Sequence, residues 1–231
     1  MNNGHHSIGP LQQDAAFECA FRTRQPQPAS PKGCVILLHG VGSSETSLTT
    51  LAYAIAPDVL VVLAQAPLVF SPNQFGWFRV AFTTEGPRIV AEEAESSRQR
   101  LIHFVEQVQA RFDIAPQSTV IAGFSQGGIM SASVALSAPQ LVAGFAILSG
   151  RILPELEPRL APKSQLVRLQ AFIGHGEFDS KLPVSWAQKA HHWLDELGMP
   201  HQLRLYPIDH TISAPMQADF LAWLDACLSK A

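Results

Sequence analysis

Residues 118–138 read STVIAGFSQGGIMSASVALSA, and the fold is decided there. The first part, with β-branched Thr119, Val120 and Ile121, has the composition of a strand buried on both faces of a sheet. The part after Ser125 is built from small residues and predicts a helix over 126–138. A strand that turns into a helix within one residue brings backbone against backbone around the turn. Gly123 and Gly127, two positions either side of Ser125, remove the side chains that would collide. Ser125 therefore sits on a strained strand-to-helix turn. The amide of Gln126 and the dipole of the new helix face any negative charge that develops beside the Ser125 hydroxyl.

Working outward, the same alternation recurs along the chain. Buried strands are predicted at 34–38 (CVILL), 59–64 (VLVVLA), 142–149 and 168–174, and a last strand at 201–207. Helices are predicted within 46–56, then over 91–112, 184–197 and 213–229. In the longest, Ala94, Leu101, Val105, Val108 and Phe112 fall at helical spacing, with acidic residues at the start and Arg111 near the end. Near the N-terminus, Phe17, Cys19 and Phe21 alternate with Glu18, Ala20 and Arg22, which predicts a half-exposed strand over 15–24. Three prolines then make 25–32 a turn. Strands alternating with helices predict an α/β fold, a mostly parallel central sheet with helices on both faces. One domain over 15–231 follows a loose arm at 1–14 that carries His5 and His6. The stretch 65–90 reads as one long loop rich in aromatic residues, Pro and Gly, and long loops in compact domains are usually functional.

Composition narrows the function classes. Hydrophobic residues make up 47% of the 231 and charged residues 15%, enough for a large core and too few charges for a disordered chain. The net charge of -3 offers no basic excess for nucleic acid or an anionic membrane. No uninterrupted apolar run reaches the roughly 18 residues of a membrane span, and the N-terminus lacks a secretory pattern. A cytoplasmic location is the expectation. Cys19, Cys34 and Cys227 are widely spaced and odd in number, which speaks against a disulfide framework or a zinc site. No metal, nucleotide or other cofactor motif is present. The aromatic content permits a homodimer without demanding one.

A serine hydroxyl is a poor nucleophile unless a base takes its proton and a carboxylate orients the base. Downstream of Ser125 stand His175, His191, His192, His201 and His210. His191 and His192 fall inside a predicted helix and His201 starts a strand. His210 follows a strand and precedes the last helix, at the carboxyl edge of the sheet where Ser125 points. Asp179 lies in the loop after strand 168–174 and is the expected acid, with Glu177 as its rival. Asp209 adjoins His210, so its side chain diverges from the imidazole. A second oxyanion donor should come from the loop after strand 34–38, where Val41 is the best placed amide beside that of Gln126. His39 reads as a structural residue beneath the site, and Arg151, which follows Ser149-Gly150, has two readings, the rim of the active site or, preferred, a solvent-facing side chain.

With these residues quoted, the chain from about Gly33 to Leu228 resembles the phospholipase/carboxylesterase family of α/β-hydrolase fold, which includes acyl-protein thioesterases. The resemblance rests on LLHGVG (37–42), QAP (65–67), GWF (76–78), GFSQGG (123–128), SG (149–150), HGEFD with Pro183, and the Asp209–His210 pair. It implies Ser125, Asp179 and His210 as a catalytic triad, Val41 and Gln126 as oxyanion donors, and Trp77 and Phe78 at the border of an acyl pocket. The implied activity is serine-dependent hydrolysis of short- to medium-chain carboxylic esters, with thioesters or lysophospholipids as alternative substrates. This chain departs from the family where Asp209 stands in place of a common small glycine. A non-catalytic binding module of the same fold is the reading of another class, and the intact set of site residues stands against it.

Overall fold

A sheet buried on both faces needs helices for each face, and this chain supplies them in alternation. The computed structural model describes residues 6–83 and 86–229. In chain order the strands are β1 (Ser7–Ile8), β2 (Phe21–Gln25), β3 (Gly33–Leu38), β4 (Val59–Ala64), β5 (Leu68–Ser71), β6 (Gln74–Gly76), β7 (Val80–Thr83), β8 (Gly86–Ile89), β9 (Thr119–Phe124), β10 (Gly144–Leu148), β11 (Gln170–Gly176) and β12 (His201–Tyr206). The helices are α1 (Thr49–Ala54), α2 (Ala91–Phe112), α3 (Gln126–Ser137), α4 (Lys163–Leu166), α5 (Ser185–Glu196) and α6 (Ala214–Leu228).

The central sheet runs β1-β2-β4-β3-β9-β10-β11-β12, parallel from β4 to β12 and antiparallel where β1 and β2 join. Side chains of a strand alternate between faces, and the two cores divide accordingly. Ile36, Leu38, Leu60, Val62 and Ile121 pack with α2, α3 and α5. Val35, Leu37, Val61, Val120 and Phe172 pack with α1 and α6. From β3 the chain first crosses to β4 and later to β9 on the other side, so the connections diverge between β3 and β9. That is the switch point where an α/β sheet opens a crevice at its carboxyl edge.

Three expectations are corrected. The predicted arm is not loose over its second half: Ser7–Ile8 pairs with β2, the Gly9 amide donates to the Thr23 carbonyl at 2.9 Å, and Gln12 bridges Phe21. An edge strand with unpaired amides recruits any extended neighbour, which composition does not announce. His5 lies outside the described residues, whereas the His6 ring stacks near Tyr53. The strand expected over 15–24 begins only at Phe21, although Phe17 and Phe21 still pack at 4.9 Å and Phe21 meets Phe104 at 5.6 Å. It is also not half-exposed, since Thr23 and Arg24 are buried between the first core strands and the edge. Finally, the described part of 65–90 holds two short antiparallel strand pairs, β5–β6 and β7–β8, in place of one long loop.

Candidate active site

β9 ends at Phe124 and α3 starts at Gln126, so Ser125 alone makes the turn, with φ 54° and ψ -118°. Its conformation is held from both sides: its amide donates to the Leu148 carbonyl at 2.8 Å, and its carbonyl accepts from Ile129 at 3.1 Å. A Cβ on Gly127 would lie 2.0 Å from the Leu38 carbonyl oxygen, and one on Gly123 would lie 2.2 Å from the Gly127 carbonyl carbon. α3 approaches β3 this closely because Gly127 carries no side chain, and β9 because Gly123 carries none.

The Ser125 hydroxyl donates to His210 Nε2 at 2.9 Å, and His210 Nδ1 donates to Asp179 Oδ2 at 2.7 Å. The carboxylate accepts on one side and so places the imidazole proton at Nδ1, leaving the Nε2 lone pair toward the serine. Asp179 is buried, and its other oxygen accepts the amides of Lys181 at 2.9 Å and Leu182 at 2.8 Å. Glu177, the rival acid, is exposed to solvent. Asp209 turns away from the imidazole, as its place in the chain predicts: Oδ1 accepts the amides of Ser180 and His210, each at 2.7 Å. These bonds hold its carboxyl below the usual carboxylate range and fasten the loop before α6 to the loop after β11.

Two buried histidines lie beneath. His39 Nδ1 donates to the Gly40 carbonyl at 2.8 Å and Nε2 accepts the Ala66 amide at 3.1 Å, so the neutral ring is fully satisfied. Burial pulls its pKa down by disfavouring the charged ring. His175 donates from Nε2 to the Leu182 carbonyl at 2.8 Å and passes 3.4 Å from Asp179. Burial lowers its pKa as well. Two of the three cysteines are likewise poor nucleophiles, since burial pushes the Cys19 thiol up to about 12 and raises Cys34 too.

Ser125 and His210 open into a cavity of about 630 Å³. Val41 and Gln126, the expected oxyanion donors, both line it; the Val41 amide donates to no backbone acceptor among the described residues, and Gln126 is the first residue of a helix, where an amide has no partner a turn earlier. Phe78 lines the cavity, but Trp77 does not. Trp77 is fully buried: its indole donates to the His39 carbonyl at 3.0 Å and its amide to Gln126 Oε1 at 2.7 Å. The Gln126 side chain completes this clamp by donating to the Phe78 carbonyl at 2.7 Å.

Other lining residues escaped the sequence reading. Leu48 and Leu51 come from the start of α1, Ile129 from α3 and Ile212 from the loop before α6, and Val80 and Ile89 from the strand pair β7–β8. Arg151, for which the solvent-facing reading was preferred over the active-site rim, is 5% exposed and lines the cavity, because the turn through Ser149 and Gly150 carries it under the nucleophile loop. Elsewhere, His191, Asp195 and His201 come within 4.8 Å of one another. His191 Nδ1 and His201 Nε2 stand 2.6 Å apart, the separation of an N–H···N hydrogen bond.

The phospholipase/carboxylesterase family model matches residues 23–228. The chain belongs to this family. Acyl-protein thioesterase 1 of Eremothecium gossypii is 28% identical over 218 residues, covering 87% of this chain and 90% of that protein. A carboxylesterase from Mesorhizobium loti superposes with a TM-score of 0.78 at 23% identity, covering 94% of this chain and 98% of that one. Esterase PE8 superposes with a TM-score of 0.77 at 26% identity, covering 95% and 99%. The fold is that of the α/β-hydrolases, and no described helix is long and apolar enough to cross a membrane.

Proposed function

We propose that this member of the phospholipase/carboxylesterase family is a serine carboxylesterase acting on short- to medium-chain esters through an acyl-enzyme. The observation that carries the reading is the unbroken chain from the Ser125 hydroxyl through His210 to buried Asp179, opening into a largely apolar cavity of about 630 Å³. That volume falls within the roughly 300–1,000 Å³ of small-molecule sites.

The steps follow from the donors and acceptors. His210 Nε2 takes the proton as Ser125 Oγ attacks the acyl carbonyl, and Asp179 stabilises the imidazolium that results. The Val41 and Gln126 amides receive the oxyanion, worth about 3–4 kcal/mol per donor in comparable sites. The leaving group departs with the proton from His210. Water then attacks the acyl-enzyme by the same relay.

A thioester is the second reading. It is favoured by the Eremothecium gossypii relative's name and uses the same machinery with a thiol as leaving group. The test is hydrolysis of p-nitrophenyl esters of roughly two to twelve acyl carbons, alongside acyl thioesters of matched length, by wild type and Ser125→Ala. Activity that falls by about 10⁴-fold or more in the variant is expected. A loss of only a few-fold would remove Ser125 as the nucleophile, and the preferred leaving group ranks ester against thioester.

A further inference from the structure

The cavity holds a charged group for which acyl transfer has no use. β10 ends at Leu148, Ser149 turns with φ 51°, and Gly150 passes so close beneath the nucleophile that a Cβ on it would lie 2.9 Å from the Ser125 carbonyl oxygen. Arg151 follows at once, buried and facing the same cavity as Ser125. Among the described residues its guanidinium has no hydrogen bond and no ion pair within 4.0 Å, and Nε is enclosed without a partner. Its support is aromatic: the guanidinium carbon lies 4.4 Å over the ring of Trp186, which does not line the cavity. Glu155, exposed, attracts it from beyond ion-pair distance, and burial lowers its pKa. Among the described residues the other charged side chain lining the cavity is Lys181, also a cation, and no described carboxylate lines it.

A buried guanidinium without an anion is costly, and a chain that keeps one usually has a partner for it outside the chain. Stacking on an indole occupies one face of the plane and leaves the N–H edge for two parallel bonds to a carboxylate or phosphate. We propose that Arg151 receives an anionic group, a carboxylate or a phosphate, carried by the substrate whose acyl carbonyl Ser125 attacks. The proposal rests on the esterase reading and narrows its substrate class to anionic esters.

Matched p-nitrophenyl esters test it: the neutral hexanoate, and the mono-ester of adipic acid, equal in chain length but ending in a carboxylate. Wild type is expected to favour the adipate mono-ester in kcat/KM by about 10-fold or more, and Arg151→Met to reduce that ratio by about 10- to 100-fold, the scale of one buried polar contact left unmade. Arg151→Lys should retain part of the preference. The ratio is taken within each variant, so a general loss of folding or catalysis cancels, and circular dichroism checks the fold. Inhibition of hexanoate hydrolysis by glutarate and by glycerol 3-phosphate separates the two sources. Whichever inhibits wild type and fails against Arg151→Met identifies the group and supports the proposal. A wild-type ratio near one that Arg151→Met leaves unchanged, with neither anion inhibiting, overturns it. So does a preference abolished by Lys181→Gln and kept by Arg151→Met. Absence of turnover of both esters in wild type would instead defeat the esterase reading. Calorimetric titration of both anions into wild type and Arg151→Met then still decides: binding lost in the variant supports an anion site, and no binding to wild type overturns it.

Discussion

Ser125 occupies a backbone conformation that few L-residues adopt, and the surroundings enforce it. The enforcement depends on single atoms that are missing. Gly127→Ala would place a methyl 2.0 Å from the Leu38 carbonyl oxygen, and no rotamer relieves a backbone contact. The expected result is a loss of about 3 kcal/mol or more, read as a lowered urea midpoint or as failure to fold. Asp179 works differently, by fixing the proton of His210. Asp179→Asn keeps the shape but lets the amide nitrogen face the imidazole and favour the wrong tautomer. A fall in kcat of about 10⁴-fold with little change in stability is expected from steady-state kinetics and thermal melts.

Between elements, two side chains act as fasteners that strand and helix patterns do not reveal. Gln126 bonds with its side-chain amide to both Trp77 and Phe78, tying the first turn of α3 to the segment that leads into β7. Gln126→Ala should release that segment while leaving the Gln126 backbone donor in place. A drop of about 10- to 100-fold in kcat/KM, with faster hydrogen exchange across 65–90, is the expected outcome. A drop without faster exchange would contradict the fastening role. Arg24 donates from β2 to the carbonyls of Ala52, Ile55, Ala56 and Val59, closing the end of α1 and the start of β4. Arg24→Met would leave several buried carbonyls unpaired and should cost about 3 kcal/mol in chemical denaturation. Period-two reading placed Arg22 outward and took the strand as half-exposed. It missed Arg24 because burial there comes from a helix about thirty residues downstream.

For the whole molecule, pH acts through the two buried neutral histidines. Burial depresses the folded-state pKa of His39 and His175 below the ordinary 6.5, so the unfolded chain takes up protons first as pH falls. Their contribution is complete above about 6.5 and is lost as pH drops from there toward the folded-state values, at up to about 1.4 kcal/mol per pH unit for each. Urea unfolding at about pH 7.5 and pH 5.5 should show the decline, and His39→Gln, less stable throughout, should show a smaller one. An equal or larger decline in that variant would contradict the assignment.

The sheet, its flanking helices and the turn at Ser125 were legible in the sequence because each rests on local chemistry: apolar runs such as 59–64, the period of α2, glycines that tolerate close backbone approach. The chain order of Ser125, Asp179 and His210 was legible too, since loops at the carboxyl ends of parallel strands share one edge. Other features belonged to the tertiary structure. Whether Trp77 or Phe78 faces the cavity, whether Arg151 is solvated or enclosed, and whether residues 7–12 pair with β2 depend on which distant segment arrives alongside. A side chain's burial and hydrogen-bond partners are set by neighbours far away in sequence, and a local pattern carries no record of them.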